Sequence, residues 1–197
     1  MTPRLKVLVP SLLVVALVLG ACSSHDSHSG SMTMTTVKVP ADAPENGADV
    51  MFAQMMLVHH QQAVEMADDA LRNSTNPKVV ALATKIRTDQ TAEIAQMTAL
   101  LEQWGQPVPD AMHGAHMMAM EGMVSDADMQ QLSTLTGTDF DRAFLTAMIA
   151  HHKGAIAMTN TELTDGKYPE LKKLAASMAV AQQNEIDQMK GFLIALG

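Results

Sequence analysis

The chain has 197 residues, of which 47% are hydrophobic and only 3% aromatic, and its formal net charge is -8. This length suits one domain plus a targeting segment, and the acidic balance argues against a nucleic-acid partner, which requires a basic face. The 18 methionines can fill an irregular core, whereas the 8 histidines need a separate explanation.

Residues 1–21 have the features of a lipoprotein signal peptide. Arg4 and Lys6 precede an apolar run, Leu8 to Leu19, that is too short to span a bilayer comfortably. The run leads to Leu-Gly-Ala-Cys22, the pattern cut before a lipidated cysteine, and Cys22 is the only cysteine in the chain. We therefore predict an exported protein held on the extracytoplasmic side of a membrane by acyl chains on Cys22. The alternative is an unmodified cysteine beside an ordinary cleavage site.

Residues 22–46 are rich in Ser, Thr, Asp and Pro, a composition that predicts a flexible tether. The tether carries His25, His28, Met32 and Met34. These side chains could capture metal near the membrane, but scattered polar positions in a disordered arm are the preferred interpretation.

Residues 47–197 form the predicted domain, which is an internal duplication with the constant offset of 92 residues that separates Phe52 from Phe144. The two copies span 47–105 and 139–197 and align without a gap. Further matching pairs are Met56 and Met148, His59 and His151, His60 and His152, Met66 and Met158, Pro77 and Pro169, Gln90 and Gln182, Glu93 and Glu185, and Met97 and Met189.

Each copy predicts a helical hairpin. In the first copy, helices are expected over about 48–72 and 78–104, with a break before Pro77. In the second copy, Thr138 with Asp141 suggests the cap of a helix that ends near 165–166, and Pro169 opens a last helix. Two such hairpins predict an all-α, antiparallel four-helix bundle.

A Met-rich connection joins the copies, followed by a predicted short helix over 126–135 capped by Ser125 and Asp128. The connection contains Met112, His113, His116 and several further methionines. Copper capture and a loose methionine lid over the bundle end are equally supported interpretations.

The core-facing stripe of the long helices is apolar at both ends and polar in the middle. Antiparallel pairing places His59 level with Gln90 and Met56 level with Glu93, with the same relation in the second hairpin. His60 and His152 are expected at the edge of this face. The predicted buried layer contains His59, His151, Glu93, Glu185, Gln90 and Gln182, with Met56, Met97, Met148 and Met189 close by.

Burying such a layer lowers the stability of the fold, because each unpaired buried polar group costs roughly 1–3 kcal/mol of free energy. A metal site, a structural hydrogen-bond network and an acid–base active site could each account for it. Two His-His pairs, each with Glu and Met at matched levels, favour metal. Methionine with histidine suits copper, especially Cu(I); zinc sites of the cysteine type lack ligands, and iron is less favoured because Glu-x-x-His is absent.

The segments 52–67 and 139–158 resemble the signature of the bacterial family called domain of unknown function 305, and the similarity extends over 47–197. The resemblance implies a ferritin-like bundle, export, and an association with copper binding and tolerance. It implies these candidate metal contacts: His59, His60, His151, His152, Met56, Met66, Met148 and Met158.

The leading hypothesis is a copper-binding extracytoplasmic lipoprotein that sequesters metal without catalysing a reaction. A metal-dependent oxidase or peroxidase using the same layer and a metal-free structural bundle are the alternatives. The metal candidates comprise the eight residues above together with Glu93, Glu185, Met97 and Met189, and Cys22 is the lipidation site.

Overall fold

The computed structural model describes residues 39–109 and 120–197. The predicted signal peptide, Cys22, the tether up to residue 38 and the part of the Met-rich connection at 110–119 lie outside the described residues. The described part contains four long helices and a short one, which confirms the predicted all-α bundle, and none of these helices could cross a membrane. The helices are α1 (Gly47–Asn73), α2 (Pro77–Gln103), α3 (Asp126–Thr134), α4 (Gly137–Asp165) and α5 (Pro169–Ala195).

The helix starts follow from the residues that precede them. Asn46 accepts hydrogen bonds from the backbone N–H groups of Ala48 and Asp49, at 2.9 and 3.0 Å, and Asp49 in turn accepts from the Asn46 N–H at 2.6 Å. Pro77 and Pro169 occupy the first positions of α2 and α5, where the missing N–H costs nothing. The equivalent helices α2 and α5 therefore begin and end 92 residues apart.

The predicted cap of α4 at Thr138 and Asp141 is wrong. The helix begins at Gly137, which has a φ of 60°, and its N-cap Thr136 makes no side-chain capping bond. Asp141 is instead buried within the helix, where it accepts a hydrogen bond from Ser74 Oγ at 2.5 Å. The short helix α3 ends one residue earlier than predicted, and Ser125 caps it by accepting from the Asp128 N–H at 3.2 Å.

Two equivalent aspartates join the hairpins to each other. Asp141 on α4 binds Ser74 in the turn of the first hairpin. Asp49 on α1 accepts from the backbone N–H groups of Lys167 and Tyr168, in the turn of the second hairpin, at 3.0 and 2.9 Å. Each hairpin therefore holds the turn of the other, and α1 runs antiparallel to α4.

The helices pack in the order α2, α1, α4, α5, and α2 meets α5 along a narrower seam. Two apolar clusters fill the interior. One cluster contains Ala63–Ala70 of α1 with Met148 and Met189, and the other contains Val50–Val58 of α1 with Met97 and Met178. On all four long helices the histidines and glutamines of the predicted polar layer lie between the segments that form these two clusters.

Candidate metal centre

The polar layer at mid-height of the bundle is fully closed to solvent on its histidine side. All four histidines have an exposed fraction of 0%, and the two glutamines at the same level have 3%. His60 and His152, expected at the edge of the face, are therefore as deeply buried as their neighbours. The histidines are His59, His60, His151 and His152, and the glutamines are Gln90 and Gln182.

His59 and His151 meet where α1 crosses α4. Their ring centroids are 3.6 Å apart and their planes are inclined by 37°. These residues are equivalent in the two copies, so the contact lies on the pseudo-twofold axis that relates the hairpins. The sequence predicted that both rings would share a layer, and the structure places them in direct contact.

The glutamates are bound by the other histidine of each pair. His60 Nε2 lies 2.9 Å from Glu93 Oε2, and His152 Nε2 lies 2.8 Å from Glu185 Oε2. Glu93, which was expected level with Met56, is thus bound by His60, one helical turn further along α1. An ionised carboxylate can only accept, so the Nε2–H group of each ring donates, and in the neutral form of the ring Nδ1 then carries the lone pair.

Burial keeps the central pair of histidines neutral. Desolvation, reinforced by the neighbouring His60, lowers the pKa of His59 to about 3. Desolvation and the facing His59 ring lower the pKa of His151 well below its ordinary value. Neutral imidazole is the form that binds a metal ion.

Most of the imidazole nitrogens have no protein partner. Within the described residues, both ring nitrogens of His59 and of His151 lack a hydrogen bond, and so does Nδ1 of His60 and of His152. Buried polar atoms without partners are uncommon in folded proteins. Six of the eight nitrogens in this group therefore lack a partner, and since a neutral imidazole has one N–H group and one lone pair, each ring can offer one nitrogen to a metal ion.

The methionines lie on both sides of the layer. Met56 and Met97 belong to one apolar cluster, and the half-buried Met158 packs against it. Met66, Met148 and Met189 belong to the other cluster. The thioethers flank the histidines in two groups, as the duplication requires, rather than gathering at one point.

The two His–Glu pairs differ in what covers them. Lys85 on α2 reaches across the seam to Glu185, with Nζ 2.8 Å from Oε1, and also binds Asp89 at 2.6 Å. Burial works to raise the pKa of Glu185, but hydrogen bonds from His152 and Lys85 outweigh it and lower that pKa. The side chain of Glu93 is 17% exposed, against 7% for Glu185.

A short segment crosses the layer between α1 and α4. Gln62 on α1 donates to the Val124 carbonyl and accepts from the Val124 N–H, both at 2.8 Å. Gly154 on α4 has no room for a side chain, because an added Cβ would lie 1.8 Å from the Glu121 carbonyl oxygen. We call residues 120–124 the strap.

Several of these residues were not singled out from the sequence. Lys85, Gln62 and Gly154 occupy places where the two copies differ, since Ser177 is the counterpart of Lys85 and Gly154 that of Gln62. A search of the duplication for mismatches, rather than for matches, would have found them. Among the described residues, no three His, Cys, Asp or Glu side chains are already arranged around a common metal position.

A family comparison matches most of the bundle. The profile of the family described as "Domain of unknown function (DUF305)" matches residues 49–193. The curated protein L153 of Acanthamoeba polyphaga mimivirus, described as uncharacterized, is 40% identical over 53 residues, and the chain spans about a third (35%) of its length.

Solved structures share both sequence and fold with the chain. A DUF305 fragment from Deinococcus radiodurans is 40% identical with a TM-score of 0.70, covering 77% of this chain and 98% of the fragment. A DUF305 protein from Streptomyces coelicolor is 33% identical with a TM-score of 0.70, covering 76% and 92%. The protein CopM in its Cu(II)-bound form is 37% identical with a TM-score of 0.65, covering 76% and 97%. CopM structures with Cu(I) and with silver are similar as well. The fold and these matches together establish that the chain belongs to the DUF305 family.

Proposed function

We propose that this protein binds copper outside the cytoplasm and sequesters it in the polar layer. The observation that carries the proposal is the set of buried, unpartnered imidazole nitrogens at the crossing of α1 and α4. A purely structural network would hydrogen-bond these atoms, because each unsatisfied buried polar group costs free energy. A bound ion would supply the missing partner.

Ligand chemistry supports copper over other metals. The layer offers imidazole nitrogens with thioethers on either side, a donor set that suits copper and, for the thioethers, Cu(I) in particular. The related protein CopM has been solved with Cu(I), Cu(II) and silver bound. Silver(I) is a soft cation like Cu(I), which agrees with a site containing sulfur.

The residues have distinct proposed roles. His59 and His151 supply ring nitrogens at the axis, and His60 and His152 bind through Nδ1. Glu93 and Glu185 hold those last two rings by their Nε2–H groups, an arrangement that fixes the tautomer and increases ligand basicity. The proposed thioether donors are Met56, Met66, Met97, Met148, Met158 and Met189.

Sequestration rather than turnover is proposed because the histidines have no exposed surface. The N-terminal pattern ending at Cys22 supports export and lipid anchoring, and the relative from Streptomyces coelicolor is named as a presumed secreted protein. A protein anchored at the membrane surface would bind copper ions there and keep them from entering the cell.

Copper retention tests the proposal. Protein made without residues 1–21 is loaded with Cu(I) under anaerobic conditions and titrated against a chromogenic chelator. We expect the wild type to retain copper, and the combined His59→Ala and His151→Ala variant to lose at least about tenfold in affinity, as removal of a ligand predicts.

Two further measurements make the outcome unambiguous. The tether variant His25→Ala with His28→Ala should retain copper, and circular dichroism should show that each variant keeps its helices. Absence of copper binding by the wild type would favour the structural bundle. Copper-dependent turnover of a reductant with oxygen or peroxide would favour the oxidase.

A further inference from the structure

The duplication makes the two His–Glu pairs equivalent in the backbone, but the surroundings of the two glutamates differ. Lys85 and Asp89 lie beside Glu185, across the seam between α2 and α5. Their counterparts 92 residues on are Ser177 and Ala181. The position related to that of Lys85 by the pseudo-twofold axis, on the Glu93 side, therefore carries the hydroxyl of Ser177 in place of an ammonium group.

The seam is open to solvent at this point. A cleft of about 510 Å³ between α2 and α5 is lined by Lys85, Ser177, Ala181 and Glu185, among others. Glu185 is thus reached from outside through a cleft whose wall carries the Lys85 ammonium group, 2.8 Å from the carboxylate. A cation approaching by this route meets a positive charge that already neutralises the carboxylate.

Glu93 has no such cover within the described residues. Its ion-pair partner there is His60, and its side chain is the more exposed of the two glutamates. The carboxylate of Glu93 contacts one imidazole, whereas that of Glu185 contacts an imidazole and an ammonium group. The charge available to hold His60 and to attract a cation is consequently larger in the first copy.

We propose that Lys85 makes the two halves of the metal centre unequal. Copper enters and binds through the His60–Glu93 pair, because at the His152–Glu185 pair the Lys85 ammonium group neutralises the carboxylate. This inference rests on the proposed copper function and adds a regulating residue to it. Lys85 acts through Glu185 and is a positioning residue, not a ligand.

Exchanging the charges across the duplication tests the proposal. In the wild-type background, Glu93→Gln should weaken Cu(I) binding more than Glu185→Gln does, measured by competition with a chelator. Lys85→Met keeps the aliphatic stem and removes the charge, and in that background the two glutamine substitutions should have equal effects. Ser177→Lys should lower affinity by about fivefold, the upper range for a partly exposed ion pair.

Lys190→Met is the matched control. Lys190 forms an exposed ion pair with Asp187 on α5 and is equally charged, so its removal should leave the difference between the two glutamates unchanged. Equal effects of Glu93→Gln and Glu185→Gln in the wild type, or a difference that persists in Lys85→Met, would overturn the inference while copper binding stood. Failure of the wild type to bind copper would instead overturn the proposed function. Circular dichroism on each variant separates loss of folding from loss of binding.

Discussion

Glu162, near the C-terminus of α4, is a buried acid outside the polar layer. Its exposed fraction is 1%, and it lies under Gly166, where an added Cβ would be 2.2 Å from Glu162 Oε1. Burial, and then the neighbouring Asp49 carboxyl, raise the pKa of Glu162 to about 8. The counterpart of Glu162 in the first copy is Ala70, so this acid is particular to the second hairpin.

This shift predicts a pH dependence of the free energy of unfolding. In the folded protein Glu162 keeps its proton up to about pH 8, whereas its model value, and hence that of the unfolded chain, is 4.5. The folded state then binds the extra proton between these values, so stability falls as pH rises through that window. Glu162→Gln should remove this fall.

Urea denaturation from pH 5 to pH 9 measures the effect. The variant should resemble the wild type at pH 5 and exceed it in stability at pH 9. Glu102→Gln, at an exposed position on α2, serves as the control and should follow the wild type. Parallel curves for the wild type and Glu162→Gln would contradict the assignment.

The histidines illustrate the limit of residue-level prediction. Their spacing identified the correct face of α1 and α4, but a difference of one residue decided which histidine binds glutamate. His59 and His60 are about 100° apart around a helix, so both reach the interior only because α1 is covered by α2 on one side and α4 on the other. The packing of α2 and α4 on two sides of α1 is a property of the tertiary structure.

At the scale of elements, the strap is held at two equivalent positions of the copies that carry different residues, Gln62 and Gly154. Gln62 binds both backbone groups of Val124, and the absence of a side chain at Gly154 lets the Glu121 carbonyl approach α4. A glutamine in place of Gly154 would collide with the strap. The duplication has therefore diverged where a single segment crosses both copies.

We predict that Gly154→Ala destabilises the protein by about 1–3 kcal/mol, the usual cost of forcing extra volume into a packed site. The added Cβ must displace backbone, which cannot yield as a side-chain tip would. Chemical denaturation gives the overall loss, and faster amide exchange at Val124 would locate it in the strap.

Gly191→Ala is the matched control, because Gly191 also lies within a long helix and its added Cβ would meet nothing within 4 Å. This substitution should stabilise the protein by about 0.5–1 kcal/mol, since alanine has less conformational freedom to lose. Equal effects of the two substitutions would contradict the close approach of the strap.

A helix boundary was predictable from the sequence where the boundary residue favours a single position in a helix. Proline at the first position set the starts of α2 and α5, and the structure agrees with the sequence to one residue. The start of α4 was mispredicted because Thr138 and Asp141 have the composition of a cap. Asp141 instead binds Ser74 of the other hairpin, a contact that no local pattern contains.

At the scale of the whole molecule, the N-terminal segment predicts where the bundle resides. If Cys22 is lipidated, the full-length protein should sediment with membranes and incorporate labelled palmitate. Cys22→Ser should abolish the label and the mature form cut at that position, because no thiol remains to acylate. Ser24→Ala should behave as the wild type, and palmitate labelling of Cys22→Ser would show that the anchor is elsewhere.

The sequence alone determined the duplication, the four long helices, the family resemblance and the mid-height position of the polar residues. Those properties depend on spacing along one chain, and a repeat of 92 residues with helical periodicity specifies them without reference to distant contacts.

Only the tertiary structure decided which polar atoms meet. The contact of His59 with His151, the pairing of His60 with Glu93 and the reach of Lys85 to Glu185 all depend on how the two hairpins rotate and slide against each other. Packing of complete helix faces sets that rotation, and side chains from three or four helices contribute to it at once. No single stretch of sequence contains that information.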